Sequence, residues 1–161
     1  LLLMASLLRG EGASLKSLIN FQRGKLRTYL ITGLIALLPT LVIGWLYSRA
    51  QTQAGVESNL SRLSQGEVML WYLLLPVAAA FLEESIWRAY ALPRISGAWR
   101  GLILTSLSFA LFHGIFNPFA LVAAFLQGLV WGWAYQRTES TIPSMALHFL
   151  SHYLALIPGF G

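Results

Sequence analysis

The sequence predicts an all-α, polytopic transmembrane bundle of about five helices. Three observations predict it. Only 11% of the 161 residues are Asp, Glu, Lys or Arg, and 57% are hydrophobic, against roughly 25% and about 45–50% in an average soluble domain. Mean hydropathy is +0.65 over one domain's length, too apolar for a shell facing water, so the bilayer has to be the solvent. The apolar residues also fall into separate runs flanked by cations and turn residues, as successive membrane spans do.

The elements follow in order. Residues 1–8 are apolar but reach only about 12 Å as a helix, short of ~30 Å of hydrocarbon. The chain opens with Leu1 inside this run and its first methionine is Met4, compatible with a fragment lacking earlier N-terminal spans. Residues 13–27 set Leu15, Leu18, Ile19 and Leu26 among cations, a pattern suited to a short helix on the membrane surface. Residues 29–47 are uncharged and apolar, a transmembrane helix despite Pro39. Residues 49–67 are polar and read as an exposed loop. The second span, 68–92, carries Glu83, Glu84 and Arg88 in its second half and is stopped by Pro93. The third, 101–114, holds His113 near its end. Asn117-Pro118 turns the chain into the fourth, 119–135, whose Gly128-x-x-x-Gly132 lets another helix approach closely. The fifth, 142–157, carries His148 and His152. The expected organisation is an apolar tail and basic interfacial segment (1–28), a first transmembrane helix with its loop (29–67), and a core of four transmembrane helices (68–161).

Charge orients the bundle and removes function classes. Of a net charge of +5, the excess is local: Arg9, Lys16, Arg23, Lys25 and Arg27 lie in the first 27 residues. Cations that flank apolar spans report membrane topology, whereas a nucleic-acid binder spreads a basic stripe over a soluble fold. No nucleic-acid partner is expected. The N-terminal segment, the 93–100 connection and the 137–140 turn share the cation-rich side, which predicts a cytoplasmic N-terminus. The chain has no cysteine, so disulfides, thiolate metal sites and cysteine nucleophiles are excluded.

Six ionisable residues stand inside apolar spans: Glu83, Glu84, Arg88, His113, His148 and His152. Such groups are costly in lipid and by default face the bundle interior with a function. Every histidine of the protein is among them. Glu84 and Arg88 are four apart, so they meet on one helix face as an ion pair that makes both charges tolerable. Glu83 points about 100° away and is left free for chemistry. His113 also fits an interior histidine bonded to a backbone carbonyl. His148 and His152 share a face, with Ser144 one turn earlier. Counting from the expected cytoplasmic ends, Glu83 lies about 13 Å deep, His113 about 18 Å, His148 about 9 Å and His152 about 15 Å. Three helices thus bring acid–base groups to one layer, expected to open to the cytoplasmic half.

Glu83-Glu84-x-x-x-Arg88, Phe109-x-x-x-His113 and His148-x-x-x-His152, in this order on successive helices, resemble the CAAX-processing and bacteriocin-processing (CPBP, or Abi) intramembrane proteases. The family pattern is EExxxR, FxxxH and HxxxN, and the resemblance covers about residues 68–155. It implies a glutamate-dependent endopeptidase acting near the cytoplasmic face of the membrane, with no covalent intermediate and no cofactor. Its substrates would be CAAX-type prenylated proteins or bacteriocin-related peptides. The first Glu of the pair maps to Glu83, activating water with help from His113. His148 and His152 map to the oxyanion-stabilising positions, and Glu84 and Arg88 to supports. A carboxylate kept from water is a stronger base, and donors aimed at an oxyanion in a low-dielectric site contribute several kcal/mol.

One position departs from the pattern: His152 stands where the family most often has Asn. That opens a zinc alternative, since Glu83, His113, His148 and His152 would make a reasonable zinc shell. The residues between the two histidines are Phe149, Leu150 and Ser151, so the Glu of an HExxH metalloprotease motif is absent. A non-catalytic membrane scaffold or immunity protein is the remaining alternative, since family members are linked to bacteriocin self-immunity. It leaves the retention of Glu83 and His113 in lipid unexplained. An ion-coupled transporter is disfavoured by the lack of inverted repeats.

Overall fold

The computed structural model describes residues 6, 8–12, 14–55, 64, 66, 67, 70 and 74–154. The expectations for residues 1–5, for most of the loop at 56–63, for the start of the second span and for residues 155–157 lie outside the described residues. Everything described is helix, turn or connection, and no strand occurs among these residues. The helices are α1 (Leu15–Ile19), α2 (Leu26–Gln53), α3 (Leu75–Glu84), α4 (Ala98–Gly114), α5 (Pro118–Thr138) and α6 (Ile142–Leu154). The all-α bundle predicted from composition is the observed fold.

The interior is built inside-out relative to a soluble protein. On α2 the buried residues are Tyr29, Thr32, Ala36 and Thr40, while Leu30, Leu34, Ile35 and Leu38 are exposed. On α4 Gly101, Thr105, Ser106 and Ala110 face inward beside Leu102 and Phe109, and Ile103, Leu104, Leu107, Leu111 and Phe112 face out. In water these faces would be reversed. In lipid there is no hydrophobic drive between helices, so small residues that allow close backbone contact take the interface. The stretch Ser17–Gln53, which holds α2, and α5 (Pro118–Thr138) are long and apolar enough to cross a membrane.

Close approach sets the core. The Gly128-x-x-x-Gly132 face of α5 takes the close helix contact expected of it, and the helix opposite is α4: a Cβ at Gly128 would stand 2.9 Å from that of Ser106, and one at Gly132 would strike the Leu102 side chain. A Cβ at Gly114 would fall on the Leu121 backbone, so the end of α4, next to His113, is pressed against the start of α5. Asn117 starts α5 as its N-cap, accepting from the N–H groups of Phe119 and Ala120 ahead of Pro118.

Several boundaries differ from expectation. The polar loop expected from residue 49 is still helix to Gln53, where Arg49 lies over the Trp45 ring at 5.6 Å. The surface helix expected over 13–27 is only α1, stopped at Asn20, a residue able to take the left-handed conformation (φ 46°). Its Leu18 is buried against Leu8 and Ala89 rather than turned to lipid. The third span begins at Ala98, after Gly97 (φ 86°) makes the turn, and the fourth runs on to Thr138, whose hydroxyl donates to the Ala134 carbonyl. Beyond α3, residues Ser85–Ala91 wind as a π-helix, a form that in other proteins marks functional sites.

The N-terminal segment caps one end of the bundle. The Asn20 amide donates to the Glu139 carbonyl and Ser140 Oγ to that of Ile19, Lys25 pairs with Glu139 at 2.7 Å, and Arg94 pairs with Glu11. The lysine holds the exposed Glu139 carboxyl below its ordinary range. The N-terminal segment, the 92–97 connection and the 139–141 turn therefore share one end, as the alternation of spans required.

Candidate active site

Glu83 and Glu84 end α3, Arg88 sits in the π-helical turn, His113 in the last turn of α4, and His148 and His152 on α6. The structure brings five of these six side chains into one contiguous cluster, with His152 stacked on its edge.

Glu84 and Arg88 form the fully buried floor, with Oε1 3.2 Å from Nη1. The Arg88 guanidinium lies 4.6 Å from the centre of the Phe109 ring and 5.7 Å from that of Trp131, so aromatic faces supplement its one carboxylate. The same Glu84 Oε1 is 3.1 Å from His148 Nδ1. Glu84 is thus more than half of an ion pair. It also orients an imidazole, a contact between residues 64 apart that no local spacing reveals.

Glu83 is turned away from Arg88, as helical geometry predicted. Its Oε2 lies 3.1 Å from His113 Nε2 and 3.9 Å from His148 Nε2. No aligned hydrogen-bond donor meets that buried oxygen among the described residues. The His113 ring is fixed from its other side, where Nδ1 is 2.9 Å from the Phe109 carbonyl. A carbonyl only accepts, so Nδ1 carries a proton. Nε2 then faces the Glu83 carboxyl, and the approach is favourable only if one proton lies between them, on His113 or on Glu83. The reading of His113 as an interior histidine bonded to a backbone carbonyl holds at Nδ1, and Nε2 is left to face Glu83.

His148 is buried, stacked on Trp131 (ring centres 4.4 Å apart, planes at 22°) and edge-on to Phe109. His152 is exposed and stacks on the other face of this group, 5.2 Å from His148 with planes at 16°. Lone pairs in nearly parallel planes do not converge on one point, and among the described residues no group of three or more His, Asp or Glu is arranged to hold an ion.

Accessibility grades across the cluster. Arg88 and Glu84 are closed, while the side chains of Glu83 and His113 are 17% and 32% exposed. The depth expectation needs correction here. Because α4 starts at Ala98, His113 lies about 22 Å along it, one residue from the helix end at Gly114. The accessible members lie toward the 115–117 turn, away from the end capped by the N-terminal segment. A cavity of about 550 Å³ lies at the capped end, among Asn20, Leu92, Ile95, Tyr135 and Glu139, and neither Glu83 nor Glu84 lines it.

Trp131 and Thr40 were not singled out from sequence. The available signal was Trp131's place at mid-span beside Gly132, since membrane tryptophans favour the interfaces.

A carboxylate beside two imidazoles, at the open edge of a dry helical membrane site, is equipped for acid–base work on water. Residues 65–154 match the family model described as type II CAAX prenyl endopeptidase Rce1-like, a segment that includes all six ionisable residues. The chain belongs to this family of integral membrane proteases. No curated protein and no solved structure matches it.

Proposed function

We propose that this protein is an intramembrane endopeptidase that hydrolyses a peptide bond with a water activated by Glu83, on a CAAX-type prenylated or bacteriocin-related peptide. The observation that carries this reading is the pairing of Glu83 Oε2 with His113 Nε2 at 3.1 Å, while Glu84 is occupied by Arg88 and His148. The cluster holds two carboxylates and one guanidinium, so one further proton neutralises it. With that proton on His113, the Glu83 carboxylate is free to take another from water as the oxygen attacks the carbonyl carbon. The proton held on Glu83 then goes to the leaving amine as the C–N bond breaks. His148, its Nδ1–H held by Glu84, presents Nε2 toward the reacting space, and there it donates to the oxyanion when it carries both protons. His152, at the edge, offers a second N–H. Glu84 and Arg88 support the arrangement.

The chemistry is proposed to need no metal. The nearly parallel rings of His148 and His152 and the commitment of His148 Nδ1 to Glu84 support that reading. His152→Asn tests it, because an amide replaces an N–H donor well but a zinc ligand poorly. The expected result is substantial activity in His152→Asn and no stoichiometric zinc in either protein by elemental analysis. Metal lost together with activity would select the zinc mechanism instead.

The N-terminal end, rich in cations, is proposed to face the cytoplasm. On that orientation the mouth of the site is proposed in the other half of the membrane, a reading supported by the exposure of His113 near the end of α4 and opposed to the expected cytoplasmic opening. The cysteine-free chain makes this easy to check. Phe116, 98% exposed in the turn after α4, is expected as Phe116→Cys to react with a membrane-impermeant maleimide added outside intact cells. Protection there, with labelling only after lysis, would reverse the orientation and restore a cytoplasmic mouth.

A further inference from the structure

The matched family segment begins at residue 65, so α2 lies outside it, yet α2 reaches the site through a chain of contacts. Thr40 Oγ1 donates to the Ala36 carbonyl at 2.9 Å. It accepts the Trp131 indole N–H at 3.2 Å. Trp131, 1% exposed, lays its ring on His148 at 4.4 Å. Thr40 is fully buried one residue after Pro39. An indole that can stack anywhere in an apolar core is here fixed in rotation by a buried hydrogen bond, and its face defines the plane in which the His148 ring must lie. Glu84 sets the direction of His148 Nδ1 within that plane. Together they leave the imidazole one orientation, with Nε2 toward Glu83.

We propose that Trp131 and Thr40 are positioning residues for His148, and that α2 is part of the catalytic unit rather than an accessory span. This rests on the proteolytic reading for its effect on rate, but the contact itself is open to measurement without turnover. The chain has three histidines, so the ring protons of His148 can be assigned by NMR in detergent from their loss in His148→Gln. Stacking on an indole shifts them upfield.

In Trp131→Leu the His148 ring protons are expected to move downfield while those of His113 stay in place. Thr40→Val moves them the same way by less, and adds nothing in a Trp131→Phe background, where the indole N–H is already gone. On a farnesylated CAAX peptide carrying a quenched fluorophore, Trp131→Leu is expected to lose about 10²-fold in kcat, as for a misplaced reacting group, with KM unchanged. Trp131→Phe, which keeps a ring face, recovers part of that loss. Unmoved His148 protons in Trp131→Leu, a Thr40→Val effect that persists in Trp131→Phe, or parental kcat in Trp131→Leu would each overturn the proposal. A parent that cuts no peptide would remove the proteolytic reading, and the resonances alone would then decide the positioning.

Discussion

Glu83→Gln is expected to lose about 10²–10⁴-fold in kcat, the range general-base catalysis supplies, with unchanged membrane insertion and thermal stability. The substitution keeps the shape of the side chain and removes its ability to take a proton from water. It also removes the partner of the proton shared with His113, 3.1 Å away. Stability is expected to hold because Glu83 is partly exposed and is not the carboxylate that neutralises Arg88. Cleavage rates and melting curves measured on one detergent preparation check both halves. Full activity in Glu83→Gln would remove the mechanism as drawn.

Arg88→Ala is expected to act in the opposite way, on the fold first. Both Glu84 and Arg88 are fully buried, and removing one member of such a pair strands the other at a cost of about 3–5 kcal/mol. The loss has further parts here, since Arg88 also covers the Phe109 face and donates to the Gly128 carbonyl at 3.4 Å. Thermal or denaturant unfolding in detergent should show Arg88→Ala far below the parent and Glu83→Gln close to it. Equal stability of the two variants would show that the pair is not structural.

These two predictions follow from a division of labour legible in the sequence. Residues 83 and 84 are adjacent, so a helix must turn them about 100° apart, and the i+4 position of Arg88 selects Glu84. A close helix contact on the Gly128 and Gly132 face of α5 was equally visible, because only a missing side chain permits it. Periodicity reports which residues share a face, not which helix will be opposite. For that reason the bond from Glu84 to His148 and the stack of Trp131 on His148 could not be read from spacing. The π-helical turn at Ser85–Ala91 has no local signature either, and Asn20 ends the surface helix in a left-handed conformation, with its amide on the distant Glu139 carbonyl. His113 lies deeper than the sequence count placed it because that count runs from the start of α4, and the start moved three residues when Gly97 made the turn.

The proposed proteolysis belongs to this chain alone, with its own carboxylate and imidazoles. It is tested most directly by incubating the purified, chelator-treated protein in detergent with a panel of farnesylated CAAX and plain peptides and weighing the products by mass spectrometry. The expected result is a single internal cut in at least one lipidated peptide, undiminished by the chelator. An intact panel, or cleavage that the chelator abolishes and zinc restores, would contradict it.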